Sequence, residues 1–155
     1  MTVTEGTIVV IVSTFFILGA VSEDLPVSKA CLGCICESIS RCSVTTPWAD
    51  SAIGPFAITP VYWKSSGKPT IGGISSEAPD AFESCTKTLF CSALTVQGYM
   101  RKFKEDCNND GDIDCDDFVL IHHYGAYGCK GTSLEGNIRK RYEQCKQYID
   151  QETDP

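Results

Sequence analysis

The sequence predicts a small α+β domain that is mostly helical and rich in disulfides. Three observations carry this expectation. Ten cysteines are crowded into residues 31 to 145, several stretches place apolar residues at helical spacing, and a β-branched, proline-bearing segment lies between them. A length of 155 residues suits one domain.

The N-terminal stretch is MTVTEGTIVVIVSTFFILGAVS. Ile8 to Leu18 is apolar except for Ser13 and Thr14, and Ala20-Val21-Ser22 gives a small-x-small pattern. The apolar run is short for a membrane span, so residues 1–22 read as a signal peptide and 23–155 as the mature domain. The n-region departs from the usual pattern, with Glu5 present and no Lys or Arg before Lys29. The expected location is secreted, extracellular, with no stable membrane anchoring after signal removal.

CLGCICESISRC (31–42) reads as a short helix closed by the turn-prone SVTTP. GPFAITPVYW (54–63) suggests short, irregular strands around its two prolines, and SSGKPTIGGISSEAP (65–79) is a loop. Helical character begins near Asp80, with Ala93, Leu94, Val96, Met100 and Phe103 at helical spacing. DDFVLIHHYG (116–125) reads as another helix ended by Gly125, and SLEGNIRKRYEQCKQYIDQ (133–151) as a charged terminal helix.

All the cysteines, namely Cys31, Cys34, Cys36, Cys42, Cys85, Cys91, Cys107, Cys115, Cys129 and Cys145, fall after the signal. An even number in an exported chain of this size reads as a disulfide framework, with connectivity open. Zinc at Cys31, Cys34 and Cys36 is the competing reading, but export favours bridges and the histidines are limited to His122 and His123. Net charge is −7, and loss of Glu5 with the signal leaves −6. That balance excludes nucleic acid as the expected partner and provides no general attraction to anionic bacterial surfaces.

Residues 106–117 (DCNNDGDIDCDD) match the spacing of an EF-hand loop. Asp106, Asn108 and Asp110 occupy positions 1, 3 and 5, Gly111 the sharp turn, and Asp117 position 12, with Asp112 and Asp114 adding acids between. Calcium is therefore a possible ligand. An Asp at position 12 is one methylene shorter than the usual Glu, and the alternative is a solvated acidic turn clamped by Cys107 and Cys115.

CLGCICESISRC, GPFAITPVYWKSSGKP, VQGYMRKFKEDCNNDGDIDCDDF and IHHYGAYGC, in that order, resemble the invertebrate-type (i-type) lysozymes, which include the destabilases. The likeness spans roughly residues 30 to 146. It implies a disulfide-rich, lysozyme-like fold and a glycoside hydrolase acting on the β-1,4 glycan of bacterial peptidoglycan. No cofactor is then required for catalysis, and the cell-wall glycan is the partner. Oligomeric state is left open.

Such hydrolysis needs a carboxylic acid to protonate the leaving oxygen and a second carboxylate for the cationic sugar. The resemblance implies an acid in an E-S-G-x-C pattern, which falls at Ser38, whereas Glu37 is the acid present. It implies an aspartate about seven residues before the glycine of G-x-F-x-I. Pro47 stands there, and the nearby acid is Asp50. Trp48 and Ile53 hold positions where members often carry cysteines. Glu37 and Asp50 are thus either a displaced acid pair or surface acids on a fold that kept its shape.

Tyr62 and Trp63 are candidates for stacking on sugar, or for the core. His122 matches the family's I-H. It is a candidate substrate-binding residue, or a packing residue on its helix. The family's isopeptidase activity would need an activated serine, with Ser65, Ser66, Lys68 and His122 as the available groups.

Overall fold

The computed structural model describes residues 25–153; the expected signal peptide lies outside the described residues. Six helices follow one another: α1 (Lys29–Ser40), α2 (Pro60–Ser65), α3 (Ala81–Thr86), α4 (Leu89–Phe103), α5 (Cys115–Tyr124) and α6 (Gly136–Thr153). No described helix is long and apolar enough to cross a membrane.

The strand expectation for 54–63 needs correction. Among the described residues, β structure there is the isolated bridge Ile53↔Ile58, and residues 60–65 are helical. The local chemistry explains this. Thr59 is extended and its hydroxyl accepts from the Tyr62 N–H, while Pro60 stands at the helix start, where a missing N–H costs nothing. Capping therefore overrides the β preference of Val61, Tyr62 and Trp63. The stretch from Asp80 divides into α3 and α4 at Thr88. Its hydroxyl donates to the Cys85 carbonyl and accepts from the Cys91 N–H, and the Cys85–Cys91 bridge spans the break.

Every cysteine is paired. Cys31–Cys115 joins α1 to α5, Cys34–Cys145 joins α1 to α6, and Cys107–Cys129 ties the loop before α5 to the loop after it. Cys36–Cys42 closes the end of α1. The two longest span 84 and 111 residues. Closing loops of that size stabilises by roughly 4 kcal/mol each in the chain-entropy account.

Around these bridges Ile35, Phe56, Ile58, Val96, Met100, Val119 and Ile121 form the buried core. Gln97, buried in α4, accepts from the Val27 N–H at 3.0 Å and donates to its carbonyl at 2.6 Å, which fixes the start of the described chain. Gly54 is required by close approach. Its φ is +76°, and a Cβ there would stand 1.8 Å from the Thr86 carbonyl oxygen.

Candidate functional site

A cleft runs between the end of α1, the 48–57 loop, α2 and the end of α5. One part, about 170 Å³, is lined by Ile39, Trp48, Phe56, Ala57, His122, His123 and Ile138. The adjoining part, about 330 Å³, shares Ala57, His122 and His123 and adds Thr59, Tyr62, Ser65 and Tyr99 among others.

His122 is the centre of this cleft. Its Nε2 lies 2.9 Å from the Phe56 carbonyl oxygen, which can only accept, so Nε2 carries the proton. Nδ1 then accepts from the Tyr62 hydroxyl at 3.0 Å. Burial pushes the imidazole down to about 4, so it is neutral at ordinary pH. The Tyr62 phenol is pushed well above its usual range, first by burial and then by Tyr99, on whose ring it stacks at 3.8 Å. With both ring nitrogens committed, His122 acts as a rivet between α2, α5 and the 48–57 loop.

The sequence candidates separate in space. Trp63 is buried, with its indole N–H donating to the Pro69 carbonyl, so it belongs to the core and not to a sugar surface. Tyr62 does line the cleft, together with His122. Ser65 also lines it, but Ser66 donates to the Trp63 carbonyl and Lys68 pairs with Glu77 at 2.7 Å. Neither Lys68 nor His122 is thereby aimed at Ser65 or Ser66.

Ser38, the position the resemblance implies for the acid, is fully buried and donates to the Ile35 carbonyl at 2.7 Å. The α1 side chain that opens onto the cleft is Ile39. Glu37 is two residues earlier, about 200° around the helix, and is absent from the cleft lining. Asp50 is exposed in a left-handed conformation (φ 54°) and is likewise absent from it. Among the described residues no carboxylate lines either part of the cleft.

In the 106–117 loop four of the six acids, Asp106, Asp110, Asp114 and Asp117, are turned to the backbone, while Asp116 accepts from the Tyr142 hydroxyl and Lys146. Asp106 accepts from the Asn109 and Gly111 N–H groups, Asn108 from Asp110, and Asp110 from Asp112. Buried Asp117 accepts from Cys107 and Asn108 through one oxygen and from Asp114 through the other. Asp114 caps α5 and completes a capping box with Asp117. A neighbouring cluster of Glu105, Cys107 and Cys129 offers no thiolate for a metal, since its two cysteines are bonded to each other.

The Destabilase family model matches residues 28–145. The chain belongs to this family of invertebrate-type lysozymes. Similar members are Lysozyme 1 of Crassostrea virginica, 34% identical over 74% of this chain and 58% of its own length, and Invertebrate-type lysozyme 6 of Caenorhabditis elegans, 31% identical over 70% and 80%. The chain thus spans little more than half of the Crassostrea protein. Among solved structures, Meretrix lusoria lysozyme in complex with the protein PliI from Aeromonas hydrophila is 28% identical, with a TM-score of 0.55 over 79% of this chain and 90% of that one. The small, helical, disulfide-bonded domain is therefore a lysozyme-like fold.

The sequence signal for Trp48 and Ile39 was weak. Neither is a titratable group, and a search for paired acids passes over the apolar residue that occupies the cleft-facing position of α1.

Proposed function

We propose that this destabilase-family protein is an exported, wall-directed lysozyme relative. It binds the β-1,4 glycan of bacterial peptidoglycan in the cleft beside His122 and hydrolyses it weakly or not at all. Glu37 and Asp50 are a displaced acid pair that no longer serves the sugar. The observation that carries this reading is the composition of the cleft, whose lining holds aromatic, apolar and imidazole groups but no carboxylate. A glycosidase of this kind needs two carboxyl groups about 5–5.5 Å apart for retention, or about 6.5–9.5 Å for inversion. His122 is no substitute acid, because it is neutral above about pH 4 and its proton is given to Phe56. Trp48 and Tyr62 provide ring surface for sugars. The same engagement of His122 argues against the isopeptidase reading, and fluorophosphonate is expected to label no serine.

The test pairs two assays on the purified protein. Co-sedimentation with insoluble peptidoglycan is expected to be saturable and about tenfold weaker in Trp48→Ala. The turbidity of a cell-wall suspension is expected to stay flat for the wild type and for Glu37→Gln alike. Strong lysis by the wild type, lost by about a hundredfold or more in Glu37→Gln, would establish the glycosidase reading with Glu37 as the acid.

A further inference from the structure

On α6, Asn137, Lys140, Arg141 and Gln144 follow one another at intervals of three, one and three residues, which gathers them on one face of the helix. With Arg41, the C-cap of α1 held at φ 56°, they line a cavity of about 260 Å³. Three of these five residues are cations and none is an acid, in a chain whose net charge is −7.

The neighbouring cations on α6 have acidic partners. Arg139 pairs with Glu143, and Lys146 with Asp116. None of the ion pairs among the described residues takes up Arg41, Lys140 or Arg141. Arg141 is also held in place. Its Nη2 donates to the Ile39 carbonyl at 3.4 Å, while its Nε is buried and meets no acceptor among the described residues. The Cys34–Cys145 bridge fixes α6 to α1 beside it. Like charges gathered around one cavity repel, although solvent screens the exposed Arg41 and Lys140 in part, and an anion seated among them would relieve that repulsion.

We infer that this cavity is a binding site for a phosphoryl oxyanion. Two guanidinium groups from different helices, an ammonium and two side-chain amides supply donors in several directions. A single arginine already saturates a planar carboxylate, whereas a tetrahedral phosphate or phosphodiester presents oxygens to several partners at once. The site lies beside the cleft, joined to it by neighbouring residues and not by a common wall. Ile39 gives its carbonyl to Arg141 and its side chain to the cleft, and Ile138, next to Asn137, also lines the cleft. A cell wall that carries a phosphodiester polymer on its glycan would reach both sites at once. That last link rests on the glycan reading proposed above; the phosphoryl site itself does not. Local capture of this kind also gives a negatively charged protein a hold on a negatively charged wall.

Two arms test it with the mature protein. In the first, the ¹⁵N-labelled protein is titrated with inorganic phosphate against a chloride control of equal ionic strength. Saturable shifts of the Asn137 and Gln144 side-chain amides are expected. They should vanish in the double variant Arg41→Asn/Lys140→Gln and persist in Arg139→Gln. Asn suits the left-handed backbone at position 41, and the double variant leaves Arg141 and its bond to Ile39 intact. In the second arm, co-sedimentation is compared on walls bearing the phosphodiester polymer and on the same walls stripped of it. Wild-type binding is expected to be at least tenfold tighter to the intact walls, with the double variant indifferent to stripping. No saturable shift with phosphate, or wild-type behaviour from the double variant, would overturn the site. Phosphate binding together with equal sedimentation on both walls would leave free phosphate as the ligand and overturn the polymer link. Failure of the glycan reading shows separately, as Trp48→Ala having no effect on stripped walls.

Discussion

Two loops of this molecule carry acids in places where function was expected, and they are built in opposite ways. Residues 106–117 are held by Cys107–Cys129 on one side and Cys31–Cys115 on the other, and the carboxylates of Asp106, Asp110, Asp114 and Asp117 accept backbone N–H groups. Residues 43–53 contain no cysteine, and exposed Asp50 and Ser51 both adopt left-handed backbone. The first loop uses its acids as structural acceptors. The second holds its acid at the surface, away from the cleft wall formed by Trp48 and Phe56. An acid's chemistry here follows from what fixes its backbone, so a count of nearby carboxylates says little about catalysis.

Substitution tests this contrast most strongly at Asp117. Asp117→Ala removes the acceptor for three backbone N–H groups and leaves them partly buried, which should cost about 3–5 kcal/mol. A thermal melt should show a fall of roughly 10 °C or more. Asp50→Asn, which keeps a side chain that tolerates the left-handed region, should stay within about 0.5 kcal/mol of wild type. Equal losses at the two positions would erase the distinction.

The next effect is read across pH at His122, which ties the Phe56 end of the weaker loop to α5. Its folded value of about 4 lies below the ordinary 6.5, so between those values the unfolded chain binds the extra proton. Stability is therefore full above about pH 6.5 and falls as pH drops toward 4, by at most about 3 kcal/mol. Melting temperatures measured from pH 7 to 4 should show this slope, and His122→Gln should flatten it. A slope that survives the substitution would assign it to other groups.

The smallest expected effect concerns the acidic loop's cation capacity. A ligand that binds only the folded state raises stability by mass action. Because Asp117 and its neighbours are already engaged by the backbone, EDTA or millimolar calcium should move the melting temperature by less than about 1 °C. A larger, calcium-specific rise would show that these oxygens turn inward to bind the ion.

Much of the fold was legible in the sequence. The spacing of Val96, Met100 and Phe103 and the run 116–125 ended by Gly125 mark helices that the structure contains. The cap at Asp114 is hidden in the sequence, where that residue falls inside the match to a calcium loop. The short α2 was read as strand because Val61, Tyr62 and Trp63 favour β structure, although Thr59-Pro60 is a helix start signal. Bridge pairing was not legible, since ten cysteines permit many connectivities. The site was harder still. Whether residue 37, 38 or 39 faces the cleft depends on helix rotation, which packing decides. The cavity of Arg41, Lys140 and Arg141 joins residues about a hundred positions apart, brought together by the Cys34–Cys145 bridge.

That bridge also sets a timetable for the nascent chain. Cys145 is made 111 residues after Cys34, a delay on the order of 10 s at ordinary rates of synthesis. Through that interval Cys31 and Cys34 must wait beside Cys36 and Cys42, which are close enough in sequence to react first. Oxidation in order of emergence would join Cys31 to Cys34, a wrong pair, even though Cys36 and Cys42 would meet correctly. Correct maturation thus calls for thiol–disulfide exchange after the last helix has arrived, and the yield of native protein should depend on the supply of an isomerase.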